Sequence, residues 1–193
     1  MPTSHRARIH RRDLLALGAG ALAVSALPGG LAPRAAWAQA PRPGGTLSLR
    51  LWDPPHWDPH LTVSYKTHIA YSFTHSRLLK HKAGPAIPAG TFPIEGDLAE
   101  SWSQPSETTY VFKLRKGVRW QNRPPVNGRE LTAEDVVYSV ERFRTLKGNA
   151  NAYMLSSLEK VEAIDKHTIK FMLKEPYVWF LDMIANSHAV PII

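Results

Sequence analysis

The 193-residue chain contains no cysteine. That excludes disulfide staples, thiolate metal sites and a thiol nucleophile, and it removes the residue through which a lipoprotein would take its lipid. Beyond residue 38 there is no apolar run approaching the roughly 20 residues that a membrane-crossing helix needs. Several enzyme signatures are missing as well: no Gly-x-Ser-x-Gly elbow, no phosphate loop and no dinucleotide fingerprint. No repeat of fixed period appears.

The first forty residues carry a pattern of their own. A basic stretch ends in Arg11-Arg12, an apolar run extends from Leu14 to Leu27, and Ala36-Trp37-Ala38 offers small residues at a cleavage position. This is the three-part layout of an export signal, with cleavage expected after Ala38 and Gln39 as the new start. Paired arginines directly before the apolar run point to the twin-arginine route. Pro28-Gly29-Gly30 breaks the run, which argues against a membrane anchor. Five arginines against Asp13 in this segment account for half of the formal +8, so residues 39–193 keep only +4. A nucleic-acid role loses much of its electrostatic support on that ground.

The remainder reads as mixed helix and strand. Leu47, Leu49 and Leu51 alternate and predict a first strand with one buried face. Three prolines in "DPPHWDPH" then require a structured loop. A helix is expected from Tyr65 to Leu79 with Ile69, Phe73 and Ser76 on its stripe, followed by a long Gly/Pro loop through "KHKAGPAIPAGTFPIEG". In "TYVFKLRKGVRW", Tyr110, Phe112 and Leu114 share one face while Val111, Lys113 and Arg115 share the other. Arg115-Lys116-Gly117 is expected to turn the chain so that Val118 and Trp120 return as the second strand of a hairpin. A base-stacking platform needs exposed aromatics beside its cations, and here the two lie on opposite faces. Thr132 and Asp135 predict a capping box for a helix whose stripe is Val136, Val140 and Phe143. Val161 and Ala163 should pair with Ile169, Phe171 and Leu173 across a turn at Asp165-Lys166. The last stretch reads as an amphipathic helix and then a strand at Val190 to Ile193 that stops without a polar finish, so a truncated chain is expected.

Candidate chemistry is sparse. His56, His60, His68, His75 and His81 cluster in sequence, but Pro59 breaks the helical spacing of the first two, and surface or loop positions are expected for the group. Glu134 and Asp135 sit on a first helical turn, where capping and the helix dipole explain them better than paired acid–base work.

The ordered run "GDLAESW", "TYVFKLRKGVRW", "LTAEDVVYSVERF" and "HTIKFMLKEP" resembles the N-terminal part of solute-binding protein family 5, the peptide- and nickel-binding components of bacterial ABC importers. "GGTLSL" and "WDPH" are similar to the family's first strand and the loop beyond it. The chain departs from the family pattern at "QNRPPVNGRE" and in the insertion "KAGPAIPAGTFPI". The resemblance implies an α/β, periplasmic-binding-protein type II-like fold, of which residues 39–193 would be part of the first lobe with its attached subdomain. It implies a soluble, monomeric periplasmic binder of peptide or a similar small solute. Such a binder would be neither lipid-anchored nor an enzyme, would need no cofactor, metal or nucleic acid, and would serve ABC permease subunits in the inner membrane. It places ligand contacts near Arg50, Leu51, Trp52 and Asp53, with Trp52 either packing on ligand or joining the subdomain. A twin-arginine-exported cofactor enzyme and an envelope binder of anionic polymers are the competing classes.

Overall fold

The computed structural model describes residues 44–46 and 48–193; the export-signal reading, with Arg11, Arg12 and the cleavage after Ala38, lies outside the described residues. From Leu49 onward the chain is one folded unit. Its centre is a four-stranded antiparallel sheet in the order β3-β4-β6-β5, where β3 is Ala99–Ser106, β4 Thr109–Leu114, β5 Leu158–Asp165 and β6 Thr168–Leu173. Helix α1 (Tyr65–Ser72) and a small sheet of β1 (Leu79–His81) and β2 (Ile94–Gly96) precede it. Helix α2 (Ala133–Thr145) and a 3-10 turn at Ala152–Leu155 separate its two hairpins, and α3 (Phe180–Ala185) comes after the second.

Alternation dictates the core. Tyr110, Phe112 and Leu114 of β4 and Ile169, Phe171 and Leu173 of β6 are buried on one face, while Lys113 is exposed. Phe112 lies edge-on to Phe171 at 5.3 Å between ring centres, and Phe180 of α3 packs against Tyr110 and Phe171 at 4.9 and 5.7 Å. Val136, Val140 and Phe143 of α2 are buried in the same core, as their spacing predicts. At the start of α2 the Asp135 carboxylate accepts the Thr132 N–H at 2.9 Å, one arm of the capping box. Arg129 adds a paired contact to the same carboxylate.

Several expectations change. The partner of β4 is β3, joined through Glu107-Thr108, with Trp102 opposite Phe112; β6 takes the other side. Val118 and Trp120 do not return as a strand of this sheet, and only Arg119 makes an isolated bridge, to Glu130. Both are half-buried against the core all the same, so the face parity holds and the pairing does not. The second hairpin pairs Val161 with Phe171 and Ala163 with Ile169, its turn shifted by one residue to Lys166-His167. Leu49 and Leu51 belong to no strand among the described residues and are 50% and 43% exposed. Helix α1 stops at Ser72, leaving Phe73 exposed and placing Leu79 in β1. Residues 190–193 are irregular, not a strand, with Val190, Pro191 and Ile192 buried.

Regularity is uneven across the sheet. Central strands β4 and β6 pair without interruption from Thr109 to Lys113. The register shifts twice in the β3–β4 ladder and twice in the β5–β6 ladder, so each edge pairing is irregular.

Candidate ligand-binding site

Arg50, Leu51, Trp52 and Asp53 form an irregular, exposed segment; Trp52 is 71% exposed. Residues 50–55 make no backbone hydrogen bond to another described residue. Trp52 therefore does not serve as a packing residue within this unit, the second of its two expected roles. A shallow hollow of about 470 Å³ lies farther along, lined by Trp57, Asp58, Pro59, Tyr71, His75 and Arg142. A larger groove of about 740 Å³ elsewhere on the surface is lined by Lys80, Phe92, Trp179 and Met183 among others, and by none of residues 50–53.

Residues 56–62, directly beyond the exposed segment, are firmly held, because polar side chains of α1 and the loop itself grip their backbone and Arg142 of α2 grips the Asp58 side chain. Thr67 Oγ1 donates to the His56 carbonyl at 3.0 Å, and the Tyr71 hydroxyl donates to the Trp57 carbonyl. His68 Nε2 reaches the Thr62 carbonyl at 2.9 Å. The Asp58 carboxylate caps the turn by accepting the His60 N–H at 2.9 Å. The same carboxylate meets Arg142 of α2 through two parallel contacts of 3.1 and 2.5 Å. Such a fork-on-carboxylate pairing fixes orientation as well as distance. His60 is fully buried, its Nε2 at 3.1 Å from the Pro191 carbonyl and its ring edge-on to Phe143.

The electrostatics are set by this packing. The hydrogen bond from Arg142 holds Asp58 below the usual carboxylate range, against the opposing effect of burial. Burial pushes His60 from 6.5 down to about 4, even though the Pro191 carbonyl favours the protonated ring. Burial likewise lowers His68, whose ring lies 4.5 Å from that of His188.

His60 thus keeps its expected loop position but is buried there, at 0% exposed, while the surface-or-loop expectation fails outright for His68, which lies in α1 and is 2% exposed. The buried side of α1 is also not the expected one: it is Thr67 and His68, not Ile69 and Phe73. Hydrophobic periodicity does not register buried polar groups. The signal available is "WDPH" itself, whose Asp58 can accept the backbone N–H two residues on in an Asx turn. Asp135, by contrast, bonds back to the cap residue Thr132 as its spacing predicts, and no group of three metal-binding side chains occurs among the described residues. No helix among them is long and apolar enough to cross a membrane.

Residues 93–193 match the model for bacterial extracellular solute-binding proteins, family 5 Middle. The chain belongs to that family. The family 5 chain is 32% identical over 139 residues to the probable D,D-dipeptide-binding periplasmic protein DdpA of Escherichia coli K12, covering 71% of this chain and 25% of the relative. It is 31% identical over 151 residues to the dipeptide-binding protein of the same organism, covering 70% and 27%. Among solved structures it resembles the solute-binding protein MoaA from A. tumefaciens R10, in complex with mannopinic acid, at 31% identity and a TM-score of 0.59, covering 69% of this chain and 26% of that one. It also resembles DppA from Helicobacter pylori in complex with the peptide STSA, at 29% identity and a TM-score of 0.58, covering 70% and 28%. The mixed helix-and-sheet architecture is accordingly that of periplasmic binding proteins. The chain spans about a quarter of the length of the curated relatives it matches.

Proposed function

We propose that this family 5 chain is part of the substrate-binding component of an ABC importer, capturing a peptide or similar small solute without hydrolysing it. The family match over residues 93–193 carries this reading. Export through the signal in residues 1–38 would deliver it to the periplasm, where its partners are permease subunits of the inner membrane. The open backbone of Arg50 to Asp53 suits an extended ligand, since main-chain hydrogen bonds supply affinity in such recognition while side-chain pockets tune specificity. Trp52 offers a flat apolar surface for a ligand side chain. The segment is one wall of the site, opposed by a second lobe that closes on it by a hinge.

The deciding experiment is calorimetry of the full-length protein against a mixed di- to pentapeptide library, with product analysis by mass spectrometry. Binding without cleavage supports the reading. Peptide hydrolysis would move the protein into the enzyme class.

A further inference from the structure

We propose that Asp58, His60 and Arg142 are positioning residues, a clasp that fixes the adjoining candidate ligand segment Arg50–Asp53 and opens when His60 takes a second proton. The inference rests on the ligand-binding reading only for what the segment does; the clasp itself stands on geometry.

Residues 50–55 have no backbone hydrogen bonds of their own to other described residues, so their position is inherited from residues 56–62. Two attachments of that loop pin it to helix α2 and to the irregular stretch after α3. One is the paired Asp58–Arg142 contact. The other is the His60 ring, wedged against Phe143 and donating from Nε2 to the Pro191 carbonyl. The opposite ring nitrogen, Nδ1, is buried and has no partner. A second proton there would place a charge on a buried ring whose Nδ1 finds no acceptor, which burial strongly disfavours.

The charged and titratable groups around this ring do little to help it. Arg142 of α2 and His68 of α1 oppose its protonation, and only Asp58 of its own loop favours it. Asp58 stays ionised through the same range, held low by Arg142, so the ion pair does not titrate with the histidine. A ring near 4 in the closed loop and 6.5 in the open one makes opening easier as pH falls between these values. Going from pH 7.5 to 4.5 should favour the open loop by roughly 70-fold, since each unit of difference is tenfold in the equilibrium.

The absence of cysteine makes the test direct. Exposed Pro55 and Glu134 are replaced by cysteine in the full-length protein, and nitroxide labels report their separation by pulsed electron spin resonance. A narrow distance distribution is expected at pH 7.5, broadening at pH 4.5. Asp58→Asn should broaden it already at pH 7.5. His60→Gln keeps a donor for Pro191 but cannot titrate, and should stay narrow at pH 4.5. Amide exchange in β4 and β6 checks that each variant is folded; should Asp58→Asn fail it, Arg142→Lys replaces it, with the same broadening expected. An unchanged distribution in a folded ion-pair variant, or acid broadening that persists in His60→Gln, would overturn the clasp. Calorimetry with the peptide library separates the two ideas. Wild-type protein that binds no peptide yet shows acid broadening keeps the clasp and loses the ligand reading; peptide binding without any broadening does the reverse.

Discussion

Phe112→Ala probes the core on its central strand. Phe112 is fully buried on a central strand, with Trp102 opposite it on β3, Ile169 opposite it on β6 and the Phe171 ring edge-on at 5.3 Å. Truncating a buried phenylalanine removes its transfer free energy and leaves a cavity, together about 3–5 kcal/mol. The neighbours here belong to a tightly paired sheet and cannot readily collapse into the hole, so the expected loss is about 4 kcal/mol. That is a large part of the roughly 5–15 kcal/mol available to a domain. Phe112→Leu, which keeps most of the volume, should cost under about 1.5 kcal/mol. Lys113→Ala, one residue on and facing solvent, should stay within about 0.5 kcal/mol. Urea titration of each variant gives the free energies. A double-mutant cycle between Trp102 and Phe112 should show about 0.5–1.5 kcal/mol of coupling, the value of an aromatic pair beyond its area. Zero coupling, or equal losses for Phe112→Ala and Lys113→Ala, would refute the assignment of faces and of the β3 partner.

Three further outcomes are expected. Asp135→Asn should destabilise by about 1–2 kcal/mol, because the amide oxygen can still accept the Thr132 N–H but the charge and the second oxygen that pair with Arg129 are lost. Burial opposes the charged form of Asp135, but the hydrogen bonds from Arg129, Thr132 and Trp120 prevail and hold it below 3.8. Its contribution is therefore complete above that value and vanishes as pH falls through the lower folded one, so the gap between wild type and variant in acid melts should close only below about pH 4. Replacing Arg11 and Arg12 together by Lys should leave precursor in the cytoplasm, and N-terminal sequencing of the wild type should begin at Gln39; normal periplasmic yield of the variant sinks the twin-arginine reading. Residues 39–193 alone should bind short peptides weakly or not at all, since every 1.4 kcal/mol of binding energy forfeited is about tenfold in affinity; tight binding in calorimetry would refute a site divided between lobes.

The parts of the fold that announce themselves in sequence are those whose signal is local. The α2 cap and stripe, the β5–β6 hairpin and the buried face of β4 are legible from spacing over a dozen residues. The partner of β4 is not. In "AESWSQPS" only Ala99 and Trp102 turn inward, too few for alternation to stand out, whereas Val118 and Trp120 mimic a strand's parity while packing as loop residues. The same limit hides the anchoring of residues 56–62, whose determinants are polar and distant: Arg142 lies 84 positions from Asp58, and Pro191 lies 131 from His60. Arg50 to Asp53 rest on resemblance alone, and nothing in their own pattern distinguishes them from any exposed loop.

The shifts of register at both margins of the main sheet bear on what happens when many copies meet. An unpaired strand margin is a template on which another chain can lay a strand. In β3 the margin is bent at two places and carries Pro105, which has no N–H to offer; in β5 it is bent twice and bears Glu159 and Lys160. Neither presents the flat, continuous row of donors and acceptors that stacking requires, while the unbroken β4–β6 pairing stays sealed between them. The sheet thus ends itself. Among the described residues, neither margin of this sheet offers a second copy a ready place to add a strand.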